Sequence, residues 1–268
     1  MMISPFSKGG IFLSSLWSPF NKKTNHVVDY LQLIFVQSTK SFLRSYFKKL
    51  PLGLLVLLAS FAGALFLFAL VVHEVLWEKE EVVDQSIFNF LSTHVINDGL
   101  TRIMKVTTYF ASATFLQIAY SVLFIFYLII KNLKRAVEIA AIGIGGFIIN
   151  YFMKLAFHRT RPAGPLIEPL KNFSFPSGHA TSGFIFYGLL AYLVWKTRIG
   201  KPYKIIFGVI LILFSMLIGF SRVYLRVHYP SDVLAGFCIG FAWLLLAIYL
   251  LERLKKKTDI EEHTGVHQ

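Results

Sequence analysis

The sequence has 268 residues, of which 56% are hydrophobic, with a mean hydropathy of +0.63 and a formal net charge of +13. A single water-soluble domain is rarely so apolar, so the membrane is the expected solvent for most of the chain. A basic nucleic-acid-binding module would gather its charge on one soluble surface, whereas here the basic residues fall between apolar stretches. The composition therefore argues against a nucleic-acid partner and favours a helical membrane protein.

Residues 1–50 mix two apolar runs with lysines and with a basic cluster that precedes the first long apolar stretch. No small-residue cleavage site follows a clean apolar core, so we do not predict a signal peptide. Val28, Leu31 and Phe35 can share one helical face, which would place this cytoplasmic segment on the membrane surface. A loosely ordered tail is the alternative.

Six apolar stretches follow, and they predict an all-α, six-transmembrane helix bundle over residues 51–252. The first two, residues 52–72 and 109–130, contain no Asp, Glu, Lys or Arg. At about 1.5 Å per residue, each is long enough to cross the hydrocarbon core. The other four are residues 136–157, 179–195, 205–220 and 233–251. Residues 253–268 are predicted to form a cytoplasmic tail.

The charges between these stretches predict the orientation of the bundle. Basic clusters precede the first stretch, follow the sixth, and join the second to the third and the fourth to the fifth. The positive-inside rule therefore places both termini and these two loops in the cytoplasm. Residues 72–108 are acidic on balance, as an external loop can be. Within that loop, Ile87, Phe88, Leu91 and Val95 have helical spacing and predict a short helix on the outer membrane surface.

Three polar motifs lie at the predicted outer boundary of the bundle. They are Lys154 followed after six residues by Arg161-Pro162, then Pro176-Ser177-Gly178-His179, and then Ser221-Arg222 with His228 and Asp232. A Pro-Ser-Gly turn before a helix offers backbone N–H groups, a hydroxyl and an imidazole to one anion. Alone, the turn is equally explained as a helix cap, but the other two motifs favour phosphate binding.

These motifs match in order and spacing the signature of the type 2 phosphatidic acid phosphatase superfamily, Lys-x6-Arg-Pro, Pro-Ser-Gly-His and Ser-Arg-x5-His-x3-Asp. Residues 50–252 thus resemble the membrane lipid phosphatases of that family. The resemblance implies a phosphohistidine intermediate on His228, its hydrolysis by water, and no metal or other cofactor. The sequence agrees on the metal, because it has no His-Glu-x-x-His, no paired cysteines and no aspartate cluster.

Phosphoryl transfer requires positive charge on the non-bridging oxygens, a nucleophile in line, and an acid for the leaving oxygen. Lys154, Arg161 and Arg222 are the candidates for the positive charge, and the two arginines can hold oxygens as planar forks. The Ser177 hydroxyl and the Gly178 amide are candidate neutral donors. These five residues form the predicted phosphate-binding set.

The catalytic roles are assigned to two histidines and one aspartate. His228 is the candidate nucleophile, Asp232 is expected to orient it through the other ring nitrogen, and His179 is the candidate general acid. Arg159 and Arg226 adjoin these motifs, and we hypothesise that they widen the positive field to accept a second phosphate. Anchoring of both arginines to lipid headgroups is the alternative.

The predicted function is an integral membrane lipid phosphatase with its active site on the outer face of a cell membrane. Undecaprenyl diphosphate is the favoured substrate, and phosphatidylglycerophosphate and phosphatidic acid stay open. Two alternatives are a lipid phosphotransferase that uses the same site and a transporter or binding protein that captures lipid phosphates without turnover. The expected partners are the lipid substrate and the bilayer, with no obligate protein partner.

Overall fold

The computed structural model describes residues 51–78, 82–170 and 172–264, and this part of the chain contains helices and no strands. The helices are α1 (Leu52–Val72), which continues into a π-helical turn (His73–Glu78), α2 (Val82–His94), α3 (Asp98–Tyr109), α4 (Ala113–Ile129), α5 (Leu133–Phe157), α6 (Gly178–Trp195), α7 (Lys201–Tyr224) and α8 (Pro230–Thr264). The predicted helix within residues 1–50 lies outside the described residues.

Four helical segments are long and apolar enough to cross a membrane, namely Leu52–Val75, Leu133–Phe157, Lys201–Tyr224 and Pro230–Leu254. A fifth candidate is the pair α3 and α4, which is bent by 44° at a short break. Helix α6 has only 18 residues, and its first turn carries Gly178 and His179 of the Pro-Ser-Gly-His motif. The protein is therefore a multi-pass membrane protein, with four or five candidate spans among the described residues.

The second predicted stretch includes a helix break that its apolar composition conceals. Helix α3 ends at Tyr109, and α4 begins at Ala113. The Ser112 hydroxyl accepts a hydrogen bond from the N–H of Phe115 at 3.2 Å, which caps the start of α4. Helix α4 therefore begins four residues after the predicted start of this stretch, and α3 lies almost wholly in the predicted external loop.

Helix α6 lies at the centre of the bundle and packs against α5, α7 and α8. Its contact with α8 is close because Gly236 and Gly240 of α8 face it. A side chain at Gly236 would place its Cβ 2.8 Å from the carbonyl oxygen of Ser177, and one at Gly240 would lie 3.0 Å from the carbonyl oxygen of Thr181. This backbone approach aligns the first turns of α6 and α8.

The three motifs meet at one end of the bundle. Lys154 and Arg222 lie in the last turns of α5 and α7, and Asp232 lies in the first turn of α8. The basic loops lie at the opposite ends of these helices. Helix α2 buries Asp84, Phe88 and Leu91, whereas Ile87, which shares the predicted apolar spacing, is 36% exposed.

Helix α8 continues past the predicted end of its span, so the first part of the predicted C-terminal tail is helical through Thr264.

Candidate active site

His228 lies in the short loop between α7 and α8, and Asp232 lies one turn into α8. Pro230 is the first residue of α8, so the helix starts between them. The Asp232 Oδ2 atom lies 3.4 Å from Nδ1 of His228 and accepts a hydrogen bond from the backbone N–H of Tyr229 at 2.9 Å. Asp232 therefore caps its own helix and also faces the histidine ring.

The tautomer of His228 follows from its second ring nitrogen. Nη1 of Arg161 lies 3.2 Å from Nε2 of His228, and a guanidinium can only donate. Nε2 must then be the unprotonated nitrogen, and Nδ1 carries the proton toward Asp232. Burial lowers the pKa of His228 to about 3, although the neighbouring Asp232 opposes this shift. His228 is thus neutral at ordinary pH, and the lone pair on Nε2 accepts a hydrogen bond from Arg161.

Lys154 and Arg161 are held by the loop between α5 and α6. The Nζ atom of Lys154 donates to the carbonyl oxygen of Phe173 at 2.6 Å. Arg161 donates from Nε to the carbonyl oxygen of Asn172 at 2.8 Å and from Nη2 to its side-chain oxygen at 2.6 Å. Burial lowers the pKa of Arg161, and Asp232 partly opposes the shift. Neutral oxygens therefore position both cations, and their charges stay available to an anion.

Arg222 is 2% exposed, and its Nη1 donates to the hydroxyl of Thr108 at 2.8 Å. Its Nε atom is buried and has no hydrogen-bond partner among the described residues. In that part of the chain, no carboxylate forms an ion pair with Lys154, Arg161 or Arg222. A buried guanidinium without a counter-charge is costly, so this arrangement favours an anionic ligand.

The Pro-Ser-Gly-His turn begins α6. The Ser177 hydroxyl is buried and accepts from the N–H of Ala180 at 3.4 Å, so it caps the helix. A side chain at Gly178 would place its Cβ 3.2 Å from the Oδ1 atom of Asn150. His179 lies within electrostatic reach of Lys154, Arg161, Arg222 and His228. The turn therefore places an imidazole beside the cation cluster, and contact of Ser177 and Gly178 with phosphate stays a prediction.

Arg159 is engaged by two carboxylates. Its Nη1 donates to Asp232 Oδ1 at 2.7 Å, and its Nη2 donates to Asp84 Oδ2 at 3.0 Å. Burial lowers the pKa of Arg159, but the two carboxylates outweigh it, and the net shift is upward. The guanidinium carbon of Arg226 lies 5.3 Å from the centre of the Phe88 ring. The position of Arg159 favours a structural role over contact with a second phosphate. The Nε atom of Arg226 is buried without a hydrogen-bond partner among the described residues, so its contact with a second phosphate stays a prediction.

A cavity of about 740 Å³ leads from the motifs into the bundle between α4, α5 and α6. Lys154, Asn172, Gly178 and His179 line its polar end. Its other walls are mostly apolar, and along α5 it extends as far as Ile139. From Lys154 to Ile139 the helix rises by about 22 Å, so the cavity runs deep into the membrane region. This shape suits a ligand with an anionic head and a long apolar tail.

The sequence did not single out Ser174 or Thr108. The Ser174 hydroxyl is buried, donates to Asp232 Oδ2 and lies 3.3 Å from His228 Nδ1. Thr108 lies 114 positions before Arg222, which it binds. The one available signal for Ser174 is a small polar residue between Phe173 and Phe175. For Thr108, the sequence offers no signal.

Comparison with known proteins agrees with this geometry. Residues 135–256 match the PAP2 superfamily. The chain is 36% identical over 115 residues to phosphatidylglycerophosphatase B of Bacillus subtilis, covering 41% of this chain and 54% of that protein. It is 31% identical over 135 residues to undecaprenyl-diphosphatase BcrC of the same organism, covering 48% of this chain and 65% of that protein. The alignments thus span between about half and two thirds of these relatives.

The fold also matches a crystal structure. That structure is the transmembrane PAP2 type phosphatidylglycerolphosphate phosphatase from Bacillus subtilis, with a TM-score of 0.62 and 24% sequence identity. The match covers 74% of this chain and 96% of that one. Sequence, fold and the meeting of the three motifs lead to one conclusion: the chain carries a membrane-embedded domain of the PAP2 superfamily over residues 135–256.

Proposed function

We propose that this protein is a metal-independent lipid phosphatase that removes phosphate from a lipid phosphate or diphosphate through a phosphohistidine intermediate. The observation that carries the proposal is the setting of His228, whose Nδ1 faces Asp232 and whose Nε2 faces Arg161. Such a setting leaves a neutral, oriented nitrogen beside a cation cluster, as covalent phosphoryl transfer requires.

In the first step, Nε2 of His228 attacks the terminal phosphorus, and the bond from phosphorus to the leaving oxygen breaks; that oxygen belongs to the lipid alcohol in a monophosphate and to the remaining lipid phosphate in a diphosphate. His179 gives its proton to that leaving oxygen, while Lys154, Arg161 and Arg222 stabilise the charge on the transferred group. Because these cations lie within electrostatic reach of His179, the negative charge of the bound substrate would help to stabilise the protonated ring. Water, deprotonated by His179, then attacks phosphorus, breaks the N–P bond and releases inorganic phosphate.

The cavity supports a lipid rather than a soluble phosphate as the substrate, because its walls below His179 are mostly apolar. Undecaprenyl diphosphate is the favoured lipid, and phosphatidylglycerophosphate is the next candidate. The names of the relatives, an undecaprenyl-diphosphatase and a phosphatidylglycerophosphatase, support both. Phosphatidic acid completes the set of substrates to be tested.

The topology that we propose has six spans, formed by α1, α4, α5, α6, α7 and α8. Both termini and the loops after α4 and α6 would face the cytoplasm, because those loops are basic. The ends of α5 and α7 that carry Lys154 and Arg222 would then lie at the outer membrane boundary.

The decisive measurement is phosphate release in detergent from the three lipids, with and without EDTA, by the wild type and by His228→Ala. His94→Ala is the matched control, because His94 is exposed on α2. We expect release that survives EDTA in the wild type and the control and is lost in His228→Ala. Loss of release with EDTA would contradict the metal-independent mechanism. The described residues contain no cluster of three or more His, Cys, Asp or Glu side chains that could hold a metal ion, which is in line with the proposed mechanism.

The same assay separates the alternatives. A phosphotransferase would produce a phosphorylated lipid acceptor in place of free phosphate. A protein that only captures lipid phosphates would bind the lipid and release nothing. Trapping an acid-labile phosphoenzyme in the wild type, and its absence from His228→Ala, would identify the intermediate.

A further inference from the structure

Asp84 is a buried carboxylate on α2, which precedes the PAP2 domain by about fifty residues in the sequence. It is 4% exposed and shares the inward face of α2 with Phe88 and Leu91. A buried carboxylate is tolerated only when donors compensate its charge. The donors bound to Asp84 belong to the candidate active site.

Two of these donors come from Ser231, the residue that precedes Asp232. Oδ1 of Asp84 accepts from the backbone N–H of Ser231 at 3.0 Å, and Oδ2 accepts from its hydroxyl at 2.5 Å. The first N–H groups of a helix have no partner within the helix itself. Asp84, which lies on α2, therefore caps the first turn of α8 by accepting hydrogen bonds from Ser231.

The third donor is Arg159, whose guanidinium bridges the two carboxylates. Nη2 binds Asp84 at 3.0 Å, and Nη1 binds Oδ1 of Asp232 at 2.7 Å. Because a guanidinium is planar and rigid, fixing one of its nitrogens also restrains the other. Oδ1 of Asp232 is then occupied by Arg159, and Oδ2 is directed toward His228 and Ser174.

Aromatic packing supports the same arrangement. The guanidinium carbon of Arg159 lies 3.9 Å from the centre of the Tyr229 ring. Tyr229 in turn packs against Phe88 of α2, with 5.8 Å between the ring centres. Helix α2 thus contacts Arg159 through Asp84, and it contacts Tyr229, the aromatic neighbour of Arg159, through Phe88.

We propose that Asp84 is a positioning residue for phosphoryl transfer: through Arg159 and Ser231 it fixes the Asp232 carboxylate so that Oδ2 faces His228. The proposal rests on the function proposed above. Asp84 does not line the cavity, and the phosphate-binding cations are held by other residues. Loss of Asp84 is therefore expected to slow the chemical step and to leave phosphate binding nearly unchanged.

The test compares Asp84→Asn with Asp98→Asn, which makes the same substitution at an exposed residue in the first turn of α3. For each variant, kcat for the lipid substrate and the inhibition constant of inorganic phosphate are measured. We expect Asp84→Asn to lower kcat about tenfold, as loss of a hydrogen bond to a charged group does, with the inhibition constant unchanged. Asp98→Asn should match the wild type in both.

A double-mutant cycle tests whether Asp84 acts through Asp232. In an Asp232→Asn background, adding Asp84→Asn should lower kcat by much less than about tenfold, because the effects of residues that act as one unit are not additive. Should Asp84→Asn fail to fold, Ser231→Ala removes the hydroxyl between Asp84 and Arg159 and should lower kcat about threefold. The proposal would be overturned if the two substitutions lowered kcat by independent factors that multiply. It would also be overturned if Asp84→Asn raised the inhibition constant of inorganic phosphate by the same factor by which it lowers kcat.

The outcomes also separate this proposal from the proposed function. An inactive wild type would contradict the phosphatase itself, and an active His228→Ala would contradict its phosphohistidine mechanism. An active wild type whose Asp84→Asn variant behaves like Asp98→Asn would contradict only the positioning role.

Discussion

The backbone N–H of Ser177 donates a hydrogen bond to the carbonyl oxygen of Asp232 at 3.0 Å. This bond joins the Pro-Ser-Gly-His motif directly to the His-x3-Asp motif, although 55 positions separate the two residues. It connects the first turns of α6 and α8, which carry the candidate general acid and the orienting carboxylate. The relative position of these two groups thus depends on how closely the two helices pack.

Gly236 controls that packing, and Gly236→Ala is expected to disturb it. The new methyl group would lie 2.8 Å from the carbonyl oxygen of Ser177 and 3.0 Å from Cβ of Ala180, and backbone cannot yield easily. We expect a loss of about 1–3 kcal/mol in stability, seen as a lower melting temperature in detergent, together with lower kcat. Gly208→Ala on α7 is the control, because its Cβ would meet no atom within 4 Å. Equal melting temperatures for the two variants would contradict the prediction.

Ser174→Ala is expected to lower kcat about tenfold with little change in KM, because it removes a buried donor to the orienting carboxylate. The Ser174 hydroxyl contacts both Asp232 and His228 and does not touch the cation cluster. Initial rates of phosphate release over a range of lipid concentrations provide both constants. Ser215→Ala is the matched control, since Ser215 is equally buried but donates to the carbonyl oxygen of Ile212 on its own helix. A higher KM at unchanged kcat would argue against this role.

Thr108→Val keeps the shape of the side chain and removes the acceptor that holds Arg222. Nη1 of Arg222 would then be buried without this partner, and the guanidinium would lose its fixed direction. We expect the inhibition constant of inorganic phosphate to rise about tenfold. Thr107→Val serves for comparison, because the neighbouring hydroxyl donates only to the carbonyl oxygen of Ile103 within α3. If both variants bind phosphate as tightly as the wild type, Thr108 does not position Arg222.

The pKa of His228 predicts how stability depends on pH. Burial lowers that pKa to about 3, whereas an unfolded chain binds the proton near about pH 6.5. Between these values the unfolded state binds more protons, so the contribution of neutral His228 is complete above about pH 6.5 and is lost as the pH falls toward 3. The melting temperature of the wild type should therefore fall more steeply over this range than that of His228→Gln. Parallel curves would show that His228 does not stay neutral in the folded protein.

The sequence predicted the regular parts of this fold well, because apolar composition directly indicates a membrane helix. The predicted stretch 52–72 coincides with α1, and 179–195 differs from α6 by one residue. Helix α3 was missed, since its sequence mixes polar and charged residues with apolar ones and so gives no membrane-helix signal. The outer faces of α4 and α5 are apolar and exposed, as expected for helices that contact lipid.

The site was predictable only where its residues form motifs of fixed spacing. Lys154, Arg161, Arg222 and His228 do so, and the structure brings them together. Ser174, Thr108 and Asp84 form their hydrogen bonds across distances in the chain that no local pattern encodes. For Arg159, the position beside a motif suggested contact with a phosphate. In the structure its guanidinium binds two carboxylates, which the sequence pattern does not indicate.

The cavity between α4, α5 and α6 has a consequence for how the reaction rate is expressed. Several of its lining side chains, including Ile125, Ile144 and Phe147, are more than half exposed, so the cavity is open and not enclosed. This opening would admit the proposed lipid substrate sideways from the bilayer, with its tail remaining in an apolar medium throughout. The rate should then follow the mole fraction of substrate in the membrane or detergent micelle, and dilution with neutral lipid should slow turnover at constant bulk concentration.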